Sequence, residues 1–392
     1  MAFEARLKAE LAALEEKGLH RSLRGLDGAQ GRVVRIGGRD CINFCSNDYL
    51  GLAADVRLWD AAAASFERSG FGAGASRLVC GTMPEHRRLE ERLAAFKGAE
   101  GCVLFNCGYM ANVGIISSLF GRDDLILSDR LNHASIMDGI VLSRAEFRRY
   151  PHCDTAALEH LLREAGGQYR TIVIITESVF SMDGDLAPLD RIARLAKEHG
   201  AVVMVDEAHA AGVFGAGGRG AVDHFGCGGD IALQMGTLSK AFGSAGAYVC
   251  GPALTMDYII NRARSFIYTT ALPPSVAAAS LKALEIIESE PGRREALWRN
   301  ARQVRDELRD AGFNTLRSQS PIIPVVIGDE KRAAAFSEKL FEQGLWVAAI
   351  RPPTVPANTA RLRVTVTAGH TPEDVTCLLT RMKTIGKELC LI

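Results

Sequence analysis

Lys240 stands in Gly236-Thr237-Leu-Ser239-Lys240-Ala-Phe-Gly243-Ser-Ala-Gly-Ala-Tyr, a stretch too rich in glycine and hydroxyl side chains for a plain solvated lysine. In water a lysine amine keeps its proton up to ~10.4, so imine chemistry there needs desolvation or a nearby cation to loosen it. Asp206 opens Asp206-Glu-Ala-His209 and lies 34 residues before Lys240, a separation that suits one intervening strand and its connections. Two histidines, His133 in Asp129-Arg-Leu-Asn-His133-Ala-Ser and His209, each follow a strand-like run. Gly108-Tyr109 opens a predicted helix, whose first amides and positive dipole end favour an anion. Thr237 and Ser239 add hydroxyls beside the lysine. An amine for an imine, a carboxylate that keeps a pyridine nitrogen protonated, and donors for a phosphate are what pyridoxal 5′-phosphate (PLP) asks of a protein. Taken singly, each residue has an ordinary reading as a buried histidine or a strand-end aspartate. Their combination argues for a site.

The elements that must position these residues follow from periodicity. Thr171–Thr176 (TIVIIT) and Ala201–Val205 (AVVMV) are β-branched runs of strand length, and Gly101–Asn106 and Ile231–Met235 are further strand candidates. Between the two β-branched runs, Pro188–His199 reads as a helix, with Pro at its start, apolar Leu189, Ile192 and Leu195, and Gly200 as its stop. Thr82-Met-Pro-Glu85 predicts a capping box ahead of a helix through Leu93 and Phe96. Strand, helix, strand in this rhythm predicts a parallel α/β sheet covered on both faces, with ligands beyond the carboxyl ends of its strands. From about residue 275 the helices become longer and more charged, with strand candidates at Ile322–Ile327 and Leu362–Thr367. The expected division is a helix and extended arm over residues 1–45, a large α/β domain over 46–280 and a smaller α+β domain over 281–392.

Composition narrows the class. The 392 residues carry 46 acidic and 46 basic side chains, a balance without the clustered cationic excess of a nucleic-acid partner. No apolar run approaches the ~20 residues of a membrane helix. The N-terminus reads as an amphipathic helix and not as a signal peptide, so the cytosol is the expected compartment. Ten cysteines in a chain this long do not form a dense disulfide framework. No Cys-x-x-Cys pair occurs, so no metal is expected. Gly215-Ala-Gly217-Gly-Arg-Gly220 matches a dinucleotide fingerprint letter for letter, but it neither directly follows a strand nor opens a convincing helix. A glycine-rich turn is the better reading.

Six phrases carry a resemblance. Asn47-Asp-Tyr-Leu-Gly51, Gly72-Ala-Gly-Ala-Ser76, Asn132-His133-Ala-Ser135, Val179-Phe-Ser-Met-Asp183-Gly, Asp206-Glu-Ala-His209 and Gly236-Thr-Leu-Ser-Lys240 resemble the α-oxoamine synthases, which are fold-type I PLP enzymes. The likeness runs from roughly residue 20 to residue 390. Ala349-Ile-Arg-Pro-Pro-Thr354-Val-Pro356 and Thr359-Ala-Arg-Leu-Arg363 are similar to the branch that joins L-alanine to a pimeloyl thioester, carried by coenzyme A or by an acyl-carrier protein. Trp298-Arg-Asn-Ala-Arg-Gln and Ile385-Gly-Lys-Glu-Leu are more similar to a glycine-using branch with a shorter acyl-CoA. A non-catalytic PLP-binding regulator is the alternative from another class, and the DNA-binding segment it needs is not visible.

The resemblance implies roles. Lys240 would hold the cofactor covalently, Asp206 would pair with the pyridine nitrogen, His133 would stack on the ring, and His209 would bond near its phenolic oxygen. Gly108, Tyr109, Ser181, Thr237 and Ser239 would contact the cofactor. The family is a homodimer with shared sites, so Thr269 and Thr270 would reach the neighbouring protomer's phosphate. Arg363 would hold the amino-acid carboxylate, a bidentate task, with Asn47 also on the substrate. Arg21 and Thr354 match positions that bind the acyl substrate. Strand alternation puts Arg361 on the same face as Arg363.

Overall fold

The computed structural model describes residues 2–392, which divide into two compact units. The larger comprises Asp48–Ser181 and Leu186–Arg294; the smaller comprises the chain through Asn47, Met182–Asp185 and Glu295–Ile392. The boundaries therefore differ from those expected. Helix Pro274–Ser289 runs unbroken across the predicted border at 280, and the N-terminal segment belongs with the C-terminal one.

The larger unit is built on seven strands: β1 (Gly101–Phe105), β2 (Asp124–Asp129), β3 (Glu146–Tyr150), β4 (Thr171–Glu177), β5 (Val202–Asp206), β6 (Leu233–Thr237) and β7 (Ala247–Gly251). Their order across the sheet is β1-β7-β6-β5-β4-β2-β3. All neighbours are parallel except those of β7, which runs against both β6 and β1. Every residue of β2 and β6 is buried, as is all of β4 beyond Thr171, so both faces of the sheet are covered. Val103, Phe105, Ile126, Val173, Ile175, Met204 and Met235 carry the core on one side, packed with Ala111 and Ile115.

The helix after β4 spans Leu189–His199 and buries the expected Leu189, Ile192 and Leu195; Gly200 ends it in the left-handed conformation. The helix Pro84–Lys97 also forms, but without the predicted capping box. The Thr82 hydroxyl donates to the Arg77 carbonyl at 2.6 Å, and Glu85 accepts from Ser69 at 2.7 Å. The amide of Met83 is taken instead by Nδ1 of His86 at 3.1 Å. The glycine-rich decoy is a tight turn with one 3-10 stretch, Ala216–Gly218, though a four-residue helix, Ala221–His224, does follow it; Gly220 has φ of 118°, and a Cβ there would collide with the buried carboxylate of Glu207.

In the smaller unit, Ile322–Gly328, Ala360–Thr365 and Ala348–Ile350 form an antiparallel sheet with Ala360–Thr365 central. The N-terminal segment is a helix, Ala2–Glu16, followed by a β-hairpin, Val33–Ile36 with Arg39–Asn43, in place of a simple extended arm. Gly37-Gly38, both at positive φ, make its two-residue turn. Among the described residues no helix is long and apolar enough to cross a membrane.

Candidate active site

Four adjacent parallel strands of the larger unit end in polar residues at one sheet edge: β6 in Thr237, β5 in Asp206, β4 in Glu177 and β2 in Asp129. Burial of the strand bodies leaves these last positions as the place where the sheet meets polar chemistry. Lys240 follows β6 by three residues. Its loop turns back through a hydrogen bond from the Gly243 amide to the Lys240 carbonyl at 2.9 Å. Gly243 has φ of 61°, and a Cβ there would collide with the backbone of Leu52 and Ala53, so only glycine lets the loop close. The Thr237 and Ser239 hydroxyls lie 2.7 Å apart, and the Thr237 hydroxyl donates to the Gly246 carbonyl at 2.9 Å.

Asp206 is 5 % exposed and held from two sides. Its Oδ1 accepts from the Ala208 amide and its Oδ2 from the Asn112 amide group, both at 2.8 Å. Asn112, on helix Gly108–Leu119, also donates to Ser135 Oγ at 2.9 Å, and Ser135 Oγ lies 2.8 Å from Nδ1 of His133. The Ser135 amide donates to the same Nδ1 at 3.2 Å. With Nδ1 accepting, the neutral ring of His133 carries its proton on Nε2. Burial lowers the His133 pKa, Asp206 opposes that, and Lys240 adds to it; the ring thus feels both charges of the site. A chain of hydrogen bonds joins His133 to Asp206 through Ser135 and Asn112.

His209 is 6 % exposed, with Nδ1 2.6 Å from the Tyr49 hydroxyl. Glu177 faces Asp206 in register on the neighbouring strand. Burial first, and the Asp206 charge second, push its pKa up to about 8, so it holds a proton at neutral pH. The Glu177 Oε1 atom has no hydrogen-bond partner. Sequence alone passes over Asn112, Glu177 and Tyr49. Tyr49 stands inside one of the six phrases that carry the resemblance, and Glu177 directly follows the β-branched run Thr171–Thr176. Asn112 is one polar residue in an apolar helix, and only its helical phase could have flagged it.

Helix Gly108–Leu119 begins at Gly108 as expected. Its N-cap, Cys107, supplies no side-chain cap, which leaves the first amides to an anion. The Tyr109 ring is exposed and its hydroxyl donates to Asp138. Thr269 and Thr270 lie beyond a short helix ending at Ile267, and the Thr270 carbonyl accepts from Asn106 at 2.8 Å. Ser181 ends the first segment of this unit, and the backbone around it lowers the Glu177 pKa slightly. An amine, a fixed carboxylate, a neutral imidazole, two hydroxyls and an uncapped helix start fit the donor set that PLP requires.

The smaller unit gathers the expected substrate residues into two pairs. Arg363, 6 % exposed, donates to Asn47 Oδ1 at 3.0 Å and to Thr365 Oγ1 at 2.9 Å. Arg21 reaches Thr354 Oγ1 and the Pro352 carbonyl, each at 3.4 Å. Arg361 shares the strand with Arg363, but its guanidinium is engaged by Asp183.

The family model "Aminotransferase class I and II" matches residues 39–382. An 8-amino-7-oxononanoate synthase of Geobacter sulfurreducens is 51 % identical over 98 % of this chain and 99 % of its own. One of Symbiobacterium thermophilum is 47 % identical over the whole of both. Among solved structures, a serine palmitoyltransferase from S. paucimobilis with a bound PLP–myriocin adduct superposes with a TM-score of 0.94 at 34 % identity, covering 98 % of each chain. An 8-amino-7-oxononanoate synthase from Francisella tularensis gives 0.77 at 32 %, covering 89 % of this chain and 98 % of that one.

Proposed function

The chain belongs to the class I and II aminotransferase family, and from that premise we propose that it is an α-oxoamine synthase condensing L-alanine with a pimeloyl thioester. The products are 8-amino-7-oxononanoate, CO₂ and the free thiol, a step of biotin synthesis. The observation that carries this reading is likeness at about half identity, over nearly the full length, to relatives that bear this name. The residues at the sheet edge support it.

PLP bound at that edge supplies an aldehyde for amines and a cationic ring that accepts the electron pair left when the α-proton departs. Lys240 holds the cofactor through its amine; once released, the same amine takes the proton from the alanine α-carbon and later returns one. Asp206 keeps the ring nitrogen protonated. The Ala208 amide and the Asn112 side chain each donate to one of its oxygens and hold the carboxyl group in place. His133, whose pKa is lowered so that its neutral form is favoured, would cover the ring with a flat face without adding a second cation. His209, oriented by Tyr49, bonds near the phenolic oxygen. Gly108, Tyr109, Ser181, Thr237 and Ser239 bind the remaining cofactor groups, and Thr269 and Thr270 serve the second protomer of a homodimer. Arg363, held by Asn47, grips the alanine carboxylate, and Arg21 with Thr354 receives the acyl chain.

A second reading follows from the serine palmitoyltransferases, whose fold superposes more closely than that of the Francisella enzyme. Their identity to this chain is 34 %, against 51 % for the alanine-type relative, so the alanine reading is preferred. A product assay crossing alanine, glycine and serine against pimeloyl, acetyl and palmitoyl thioesters decides. Alanine with the pimeloyl thioester is expected to turn over fastest; preference for serine with palmitoyl or glycine with acetyl would overturn the assignment.

A further inference from the structure

The sheet edge carries a second set of reactive groups that the condensation does not use. Asp129 closes β2 and pairs in register with Tyr150, the last residue of β3. His152 and Cys153 stand two and three residues beyond Tyr150. Asp129 is 1 % exposed; its Oδ1 accepts from the Leu131 amide at 2.8 Å and lies 3.0 Å from Nδ1 of His152. Its Oδ2 accepts from the Cys153 amide at 2.8 Å. Cys153 Sγ stands 3.7 Å from Nε2 of the same ring and 3.8 Å from Nδ1. Phe180 meets the imidazole edge to face at 4.3 Å between centroids. Carboxylate and thiol thus both lie against the imidazole, the sulfur nearly equidistant from its two nitrogens. Cys153 has φ of 54°, a conformation that a non-glycine residue adopts at a cost, and its amide bond to Asp129 pins it there.

A buried carboxylate against one ring nitrogen favours a cationic imidazole, and a cationic imidazole favours a thiolate beside it. A thiol within reach of a base that a third group orients is the general arrangement of an activated nucleophile. We propose that Cys153 is a modification site that exchanges with low-molecular-mass disulfides. The Cys153 thiol gives its proton to the imidazole. The thiolate attacks one sulfur of the small disulfide, whose S–S bond breaks as a Cys153 Sγ–S bond forms. The other half leaves as a thiolate and is protonated. Cys153 is oxidised, and the departing half-disulfide is reduced.

A metal ion is the competing occupant, since the three donor atoms lie within 4.8 Å of one another. Both Asp129 oxygens already accept backbone amides, however, and its 3.0 Å separation from the ring nitrogen is hydrogen-bond spacing. Tetrahedral zinc, with bonds of about 2.0–2.1 Å to oxygen and nitrogen, holds such ligand atoms about 3.3 Å apart. The thiol reading fits the geometry better.

The test is to incubate the cofactor-loaded protein with glutathione disulfide, quench at intervals, and map all ten cysteines by mass spectrometry. Cys153 is expected to be modified ahead of the exposed Cys80, Cys107 and Cys390. His152→Gln and Asp129→Asn are each expected to slow Cys153 at least about tenfold without slowing the three exposed thiols. His152 is partly exposed, so His152→Gln remains decisive if Asp129→Asn does not fold. Modification of Cys153 no faster than the exposed thiols, or an unchanged rate in His152→Gln, overturns the proposal. So does stoichiometric zinc in the purified protein that His152→Gln releases.

Discussion

Asn112 Nδ2 lies 2.8 Å from Oδ2 of Asp206, reaching from the helix that follows β1 to the carboxylate that ends β5. The bond makes a residue in an apolar helix one of the two donors that fix the Asp206 carboxyl group in place. Asn112→Ala removes one of them. A hydrogen bond to a charged group is worth about 1.5–3 kcal/mol, so exchange of the alanine α-hydrogen in deuterated buffer should slow roughly ten- to a hundredfold. An unchanged rate would leave Asn112 a merely structural residue.

Asp206→Asn keeps the shape of the side chain and discards its charge. The variant is expected to fold and bind some cofactor, but to lose about 10²–10⁴-fold in α-hydrogen exchange, the scale of a proton-transfer contribution. Near-normal exchange would refute the role given to Asp206.

Glu177 predicts a pH effect in the cofactor-free protein. Burial and Asp206 raise its folded-state pKa from 4.5 to about 8. The stability tied to its proton is therefore fully present below about pH 4.5 and is lost as pH rises through about 8. Each tenfold gain in proton affinity on folding is worth up to about 1.4 kcal/mol. Glu177→Gln carries no such proton. Denaturation followed across this range should show the variant gaining on the parent protein with rising pH; parallel curves would contradict the buried proton.

Arg363 and Arg361 share a strand and differ in partner. Arg363→Ala is expected to raise the KM for alanine roughly a hundredfold while the bound cofactor keeps its visible absorbance, because a guanidinium–carboxylate contact is lost. Arg361→Ala instead removes the partner of Asp183 and should lower unfolding stability by about 3 kcal/mol. Steady-state kinetics and denaturant titrations on both variants separate the two roles; reversed effects would exchange them.

The sheet and most of its chemistry were legible because burial and strand ends leave strong local signals. β-branched runs located β4 and β5; Asp206 ends one, and His209 and Lys240 stand just beyond strands whose apolar texture is unmistakable. Residues recruited over distance were not legible. Asn112 meets Asp206 across 94 positions of chain, and the proton on Glu177 depends on a strand neighbour that only register reveals. The Thr82–Glu85 box failed for a related reason. Both side chains found tertiary partners, in Arg77 and Ser69, that outbid the local cap. The division near residue 280 failed because a change of composition does not have to coincide with a break in packing.

The account turns on the amine of Lys240. Borohydride reduction of the PLP-loaded protein, followed by peptide mapping, reads the attachment directly. The account predicts a pyridoxyl group on Lys240 alone, and its loss together with the visible absorbance in Lys240→Ala. A label on another lysine, or absorbance that survives the substitution, would contradict it.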